Sequence, residues 1–431
     1  MNILFLTIYA VLFIIIAMII KVTIRSFRNP ITFFSLLWCV VGFVSNLGLR
    51  EYYLPSDFVN IIIIVGIIVF FISFYIVFNR YPLNIFSEEI DIKNDHINYQ
   101  LIYLVSAICI LFELPTFIRS IGLVGTVGMA YMRAHASIVY SSMFFNQISE
   151  TFVKPIFTAT TILAIIVSFN RNTFKIKGII VIAIIENVML TVITAGRAPI
   201  VNAFFYLLIA MILIRGTSIF RLLKREKKKV FILIGAFAII ILISSLRAGS
   251  RVGFEQIMGS AYVYYFSGPS YLSRLLENYS EYGIGGKLMW GQATFGFITN
   301  WVIIILDPLF GGRLETSLNI LGSTITNRQF AVGGRTLVNS MSTGFYAFLV
   351  DWGYAGIVIG PFVLAVISKI LVKRLDRNRT IKNLGIYIFW IYTLFRTVFK
   401  WDMVSLDFFI VLFTLHIFTA LPGRHVQKGL A

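Results

Sequence analysis

The charged side chains best placed to do chemistry stand at the ends of apolar runs, at Arg197, Arg247, Arg251, Glu255, Arg335 and Asp351. Arg247, Arg251 and Glu255 follow one another at intervals of four residues, so they share one helical face if the preceding helix continues. A guanidinium group binds phosphate oxygens through paired hydrogen bonds and keeps its charge in a low dielectric. The arginines therefore predict a site for a diphosphate or a similar anion.

Each of these side chains also has a structural interpretation. Arginines at the ends of membrane spans often contact lipid headgroups, and Glu255 would then be only the salt-bridge partner of Arg247 and Arg251. Asp351 would stabilise the helix that follows it by about 1 kcal/mol as an N-terminal cap. In the catalytic interpretation, Glu255 or Asp351 accepts a proton from an attacking hydroxyl group or supports the residues that do so.

Tyrosines cluster in the segment that follows the arginine pair. Tyr262, Tyr265 and Tyr271 offer flat faces that can stack on sugar rings. Tyrosine is also common wherever a membrane meets water. The cluster therefore supports sugar binding only in combination with the anion site.

Motifs for metal and nucleotide chemistry are missing from the sequence. The chain has no GxxxxGK[ST] phosphate loop and no HExxH pair, and its histidines are isolated. Cys39 and Cys109 lie in apolar runs without zinc-ligand spacing. We therefore expect neither a metal ion nor another cofactor.

Composition indicates which elements must position these residues. Hydrophobic residues make up 58% of the 431 residues and charged residues 13%, with a mean hydropathy of +0.87. A soluble domain carries about a quarter charged residues, and a spanning helix needs about 20 apolar ones. We predict an all-α, polytopic transmembrane helical bundle of about eleven spans. They lie at about 2–20, 31–49, 58–79, 100–118, 151–169, 179–195, 199–214, 230–246, 352–371, 384–399 and 405–421.

The distribution of positive charge predicts how these spans are oriented. Most of the 37 Lys and Arg residues fall at 21–30, 80–99, 170–178, 215–229, 369–383 and 422–431. The positive-inside rule places these segments in the cytoplasm, with the N-terminus outside and the C-terminus inside. The net charge of +18 thus follows from topology, and without a basic stripe it does not predict nucleic-acid binding.

This topology divides the chain into three regions. Residues 1–246 form the first eight predicted helices, and residues 343–431 form the last three. Between them, residues 247–342 form a long outer-face (periplasmic or extracellular) loop with short helices. The apolar stretch at 295–306 within this loop is too short to span a membrane.

Three segments of the chain match the motifs of a known protein family in residue type and in spacing. They are Thr194-Ala195-Gly196-Arg197, the pair Arg247 and Arg251, and the stretch from Asn339, Thr343 and Tyr346 to Asp351-Trp352-Gly353-Tyr354-Ala355-Gly356. Together they resemble bacterial Wzy-type oligosaccharide repeat-unit polymerases, the O-antigen and capsule polysaccharide polymerases. That family carries Asn-x-x-x-Thr followed by Tyr, and then Asp-aromatic-Gly-x-x-Gly at the start of a span. Trp352 stands where phenylalanine is commoner.

The resemblance implies a glycosyltransferase of the bacterial plasma (inner) membrane. A growing glycan would move from undecaprenyl diphosphate to a new lipid-linked repeat unit, without a nucleotide sugar. Arg197, Arg247, Arg251 and Arg335 would neutralise the departing diphosphate. The implied partners are the undecaprenyl-diphosphate-linked oligosaccharide, membrane lipid, a chain-length regulator and a flippase, and no nucleic acid is among them.

Two other classes of function stay open. A polyprenyl-linked glycosyltransferase would use carboxylates of the first outer loop, at Glu51 and Asp57, with a divalent metal, and an O-antigen-ligase-like transferase is a related alternative. A lipid-linked oligosaccharide flippase or another transporter would place charges through many spans. The charged candidates gather instead at the outer face, which favours a transferase.

Overall fold

Helices form along nearly every apolar run of the chain. The computed structural model describes residues 1–49, 52–78, 97–134, 139–169, 174–216, 226–248, 259, 262–278, 282–310, 314–322, 330–334, 336–338 and 342–420. Each of the predicted spans overlaps a helix within these residues. The prediction of an all-α membrane protein is therefore confirmed, with one short β-hairpin added to it.

In the described part of the chain, nine α-helices precede the long loop, and several carry a π-helical turn at one end. They are α1 (Ile3–Ile19, continued by the π turn Ile20–Ile24), α2 (Leu37–Ser45, preceded by the π turn Thr32–Leu36), α3 (Asp57–Phe78), α4 (Tyr99–Ala134), α5 (Met143–Ile148), α6 (Lys154–Val167, joined to α5 by the π turn Ser149–Val153), α7 (Phe174–Ile193), α8 (Ala198–Arg215) and α9 (Lys227–Ala248).

The loop region and the C-terminal region contain further helices among the described residues, seven of which have defined bounds, and residues 262–266 are helical as well. The seven are α10 (Gly268–Asn278), α11 (Gly296–Leu306), α12 (Ser317–Leu321), α13 (Thr343–Trp352), α14 (Gly356–Arg377), α15 (Ile381–Arg396) and α16 (Leu406–Phe418). Strands β1 (Phe330–Gly333) and β2 (Thr336–Val338) pair antiparallel between α12 and α13. The short apolar stretch predicted at 295–306 is α11, and the hairpin was not predicted.

Some of these helices could cross a membrane by their length and composition. Within the described residues there are six candidate spans: Ile3–Ile24, Asp57–Ile76, Tyr99–Met129, Met143–Val167, Ala198–Arg215 and Thr343–Arg377. Large apolar side chains on their outer surfaces are exposed, as a lipid-facing surface requires. A protein with several membrane-spanning helices is confirmed, and the count of about eleven spans stays a prediction.

One end of the bundle carries the long loop, and we call it the loop face. Near the N-terminus, the backbone N–H of Asn2 donates to the carbonyl of Asn46 at 3.2 Å. The backbone N–H of Tyr53 donates to the carbonyl of Val332 in β1 at 2.8 Å. The connection between α2 and α3 and the β-hairpin therefore meet at this face. The ends of α1, α2 and α3 that were predicted to lie outside are thus on the same side as the loop.

Within the described residues, the opposite end, which we call the basic face, carries Arg28, Arg215 and Lys229. The Arg28 side chain donates to the carbonyl of Leu213 at 3.2 Å, at the end of α8. Arg215 and Lys229 both form ion pairs with Glu226, which precedes α9. These basic residues belong to segments that the positive-inside rule assigns to the cytoplasm, and the orientation of the protein stays a prediction.

Helices α13 and α14 form a hairpin inside the bundle. The ring of Phe345 contacts Trp38, with 4.9 Å between ring centroids, and lies against Gly66, so α13 begins near the middle of α2 and α3. The chain reverses at Gly353, where φ is 56°. A Cβ atom on Gly356 would lie 2.0 Å from the Phe348 carbonyl oxygen, so α14 folds back in close contact with α13.

Candidate functional site

Arg197 lies in the tight turn between α7 and α8. Gly196 donates from its backbone to Thr191 at 3.2 Å, and Ala195 has a φ of 43°. The Arg197 carbonyl accepts the N–H of Val201 at 3.0 Å, so this arginine is the last residue before the regular helix. Its guanidinium carbon lies 5.8 Å from the centroid of the Tyr264 ring. The turn thus presents the predicted cation at the loop face, next to the tyrosine segment.

A second arginine, Arg396, lies at the loop-face end of α15. It forms an ion pair with Asp402 at 3.0 Å, and Lys400 lies 3.9 Å from the same carboxylate. Its guanidinium carbon is 5.6 Å from the Tyr392 ring and 5.7 Å from the Phe399 ring. The Nε atom of Arg396 is buried and makes no hydrogen bond to a described group.

The two arginines meet through a shared set of aromatic rings. Tyr264 packs on Phe399 with 5.0 Å between centroids, and Tyr265 packs on the same ring at 5.9 Å. Burial, with a contribution from Tyr264, raises the pKa of Tyr265 to about 12, and the charges of Arg197 and Arg396 oppose this rise. Both cations therefore act on one hydroxyl group, although they are distant in sequence. We call Arg197, Arg396 and the rings of Tyr264, Tyr265 and Phe399 the arginine–tyrosine cluster.

Asp402 is the charged partner of Arg396. Burial raises the pKa of Asp402, although Arg396 and Lys400 lower it. A phosphate that binds Arg396 would therefore have to share the guanidinium group with Asp402 or displace that carboxylate.

Asp351 supports the backbone of a neighbouring loop. Its side chain is wholly buried and accepts the N–H groups of Ala293 at 2.9 Å and Thr294 at 2.6 Å. Its own carbonyl accepts the N–H of Trp290 at 3.1 Å, and Trp401 donates to Ala293 at 3.0 Å. This geometry fits the supporting role that the sequence left open, and the role of Asp351 as a base stays a prediction.

The three predicted sugar-binding tyrosines have different surroundings. Tyr265 belongs to the arginine–tyrosine cluster. Tyr262 stacks on Tyr52 with 5.0 Å between centroids and donates to the Val44 carbonyl at 3.2 Å. Tyr271 is wholly buried and packs on Phe330, so its ring has no exposed face for a sugar. The geometry therefore favours Tyr265 among the three.

The structure describes only some of the other predicted site residues. Arg251, Glu255 and Arg335 lie outside the described residues, as does Glu51 of the glycosyltransferase alternative. Arg247 belongs to the last turn of α9. Asp57 begins α3, where Asn2 donates to its carboxylate at 3.4 Å. In the part of the chain that the structure describes, no group of three or more His, Cys, Asp or Glu side chains could hold a metal ion.

Sequence reasoning missed Arg396, Lys400 and Asp402. Lys400 and Asp402 lie in the turn between the last two predicted spans and Arg396 lies at the end of the span before it, so the rule that selected Arg197 applies to them equally. Their importance becomes visible only when the structure brings α15 next to α8 and the tyrosine segment.

Comparison of the chain with models of protein families, with curated proteins and with solved structures finds no match. The function of the chain must therefore be inferred from the chemistry of its own residues, chiefly those of the arginine–tyrosine cluster.

Proposed function

We propose that this protein polymerises lipid-linked oligosaccharide repeat units at its loop face. The observation that supports this most is that Arg197 and Arg396 flank shared tyrosine and phenylalanine rings near the adjoining ends of α8 and α15. Fixed cations suit a diphosphate headgroup, and flat rings suit the sugars attached to it. The surrounding lipid accommodates the polyprenyl tail of such a substrate.

The proposed reaction transfers a glycan from one lipid carrier to another. A hydroxyl group of the incoming repeat unit attacks the anomeric carbon at the reducing end of the growing glycan. The new glycosidic bond forms as the bond to the diphosphate breaks, and the lipid diphosphate leaves with the electron pair. The hydroxyl proton passes to a base, for which Glu255 and Asp351 are the candidates from sequence.

Arginines contribute most where negative charge develops on the leaving group. Arg197 and Arg396 would neutralise it from the cluster, and Arg247, Arg251 and Arg335 are proposed to complete the site. In acyl-transfer enzymes, which stabilise developing negative charge in a comparable way, removal of one fixed donor costs about 100-fold or more in rate. Undecaprenyl diphosphate is the proposed carrier, in a bacterial plasma membrane.

The test uses purified full-length protein in lipid nanodiscs with a synthetic undecaprenyl-diphosphate oligosaccharide and no nucleotide. The expected product is a ladder of longer glycans, and Arg396→Ala should reduce its rate about 100-fold. Because that change leaves Asp402 with only Lys400, 3.9 Å away, as a charged partner, Arg396→Ala combined with Asp402→Asn separates loss of catalysis from loss of folding.

A matched control is available on the same face. Arg274 lies 4.8 Å from the Tyr53 ring and pairs with Glu277 at 2.9 Å, outside the cluster. Arg274→Ala should leave the ladder intact. A full ladder from the double variant Arg197→Ala, Arg396→Ala would refute the proposal, as would movement of the substrate between leaflets without any change in its length.

A further inference from the structure

A column of polar side chains lies between α4 and α7, within the apolar part of the bundle. Ser106, Cys109 and Glu113 recur every three or four residues and so share one face of α4. Glu186 of α7 lies within electrostatic range of Cys109, as does Glu113. Both glutamates have side chains that are 0% exposed. Ionisable groups within membrane spans are rare and usually functional.

Neither carboxyl group is hydrogen-bonded or ion-paired within the described residues, and the charge of Lys154 acts on Glu113 only from a distance. The carboxyl oxygens of Glu113 and Glu186 make no hydrogen bond of acceptable geometry to any described group. Ser106, beside Glu186, is also wholly buried, and its hydroxyl makes none either. An unpaired buried carboxylate costs several kcal/mol, whereas a carboxylic acid is neutral and can donate its proton to such a hydroxyl.

The column continues towards the loop face. Ser149 lies beside Glu113 and shares a hydrogen bond of 2.9 Å with the Tyr140 hydroxyl. Both belong to the connection between α4 and α6. One residue further along the chain, the exposed Glu150 forms an ion pair with Lys154. Hydroxyl groups therefore lie between Glu113 and an exposed, charged pair of side chains.

We propose that Glu113 and Glu186 are proton-binding sites in one column that opens to the loop face. The titratable and charged groups that face the column are Cys109, Tyr140, Glu150 and Lys154. Protons enter past Glu150, pass the hydroxyls of Tyr140 and Ser149, and reach Glu113 before Glu186. This inference does not depend on the polymerase proposal, because none of these residues belongs to the arginine–tyrosine cluster.

The first test labels the full-length protein in lipid nanodiscs with dicyclohexylcarbodiimide at neutral pH. This apolar reagent modifies protonated carboxyl groups in apolar surroundings, and peptide mass spectrometry locates the adduct. We expect labelling at Glu113 and Glu186 and none at Glu150, which is exposed and ion-paired with Lys154. Absence of label from both buried glutamates would overturn the proposal. Protection of either one by sodium at constant pH would identify a cation site instead and would also overturn it.

The second test measures proton exchange by infrared difference spectroscopy. The carbonyl band of a protonated carboxylic acid should shift on transfer to D2O, and it should be absent from the double variant Glu113→Gln, Glu186→Gln. Glutamine preserves shape and neutrality, so this variant should fold normally. Tyr140→Phe should slow the shift, while Tyr354→Phe, on an exposed turn, should not. A band that persists in the double variant, or that never shifts in D2O, contradicts the proposal.

Discussion

At the scale of the residue, Asp351 uses its buried carboxylate to support the backbone of a neighbouring loop. Its two oxygens accept neighbouring backbone N–H groups of Ala293 and Thr294. An asparagine side chain in its place would offer only one acceptor and would direct an NH2 group at the other N–H. We expect Asp351→Asn to lower the free energy of unfolding by about 1 to 3 kcal/mol. Thermal unfolding in detergent measures this, and polymer synthesis measured on the same samples shows whether activity falls with stability.

The matched change is Asp57→Asn, at an exposed carboxylate with one long contact to Asn2. It should change stability by less than about 0.5 kcal/mol. If Asp351→Asn instead abolished activity with an unchanged unfolding temperature and an altered pH–rate profile, Asp351 would be the base. Loss of activity in Asp57→Asn would support the metal-dependent glycosyltransferase.

The residues of the site differ in how far sequence could reveal them. Arg197 was predicted because a charge beside Gly196 at the end of an apolar run is conspicuous. Arg396 acquires its meaning from contacts with segments far away in the chain, which local spacing does not encode. Glu113 and Glu186 could have been identified from the sequence, because a carboxylate within an apolar run is costly. They were not predicted because the candidates were chosen among charges at the ends of spans.

At the scale of the element, the α13–α14 hairpin depends on two helices in close contact. Gly356→Ala would place a methyl group 2.0 Å from the Phe348 carbonyl oxygen, so the helices must separate. We expect a loss of about 1 to 3 kcal/mol in the free energy of unfolding. Gly125→Ala, where a Cβ atom would have no neighbour within 4 Å, should be neutral or slightly stabilising. Equal melting temperatures for both variants would show that α14 does not need this contact.

The connection between α8 and α9 depends on Glu226 at the basic face. Its carboxylate accepts from Arg215 at 2.9 Å and from Lys229 at 2.5 Å. Burial acts to raise the pKa of Glu226, but the hydrogen bond and charge of Lys229, with Arg215, lower it overall. Glu226→Gln should therefore cost about 1 to 2 kcal/mol at neutral pH.

The pH dependence of that cost follows from the lowered pKa. The ionised carboxylate stabilises the folded state above the ordinary glutamate pKa of about 4.3, and this contribution is lost as the pH falls through the lower value in the folded protein. The difference in melting temperature between wild type and Glu226→Gln should shrink as the pH is lowered over this range. A difference that does not change with pH would assign the effect to packing.

Elements were easier to predict than residues, with two exceptions. Every apolar run that was predicted as a span overlaps a helix of the structure. Such a run must be helical because the backbone groups of a segment in lipid have to be hydrogen-bonded within that segment. The β-hairpin escaped prediction because its strands, Phe330–Gly333 and Thr336–Val338, are short and lie among glycines. The hairpin of α13 and α14 escaped because both helices are apolar, and composition does not show where a chain reverses.

At the scale of the whole molecule, the two faces of the bundle determine what each site can meet. The arginine–tyrosine cluster and the opening of the carboxyl column lie at the loop face, while Arg28, Arg215 and Lys229 lie at the basic face. The positive-inside rule places the basic face in the cytoplasm. A lipid-linked substrate on the outer leaflet and protons from outside the cell would then reach the same side of the protein.

This orientation predicts which surface cysteines react in intact cells. Glu277→Cys, on an exposed position of α10, should react with a membrane-impermeant maleimide without permeabilisation. Lys21→Cys, exposed at the opposite end of α1, should react only after the membrane is opened. Cys39 and Cys109 are buried, so they add little background. The reverse pattern would place the cluster in the cytoplasm, where an outer-leaflet lipid-linked acceptor cannot reach it, and would therefore refute the polymerase as proposed.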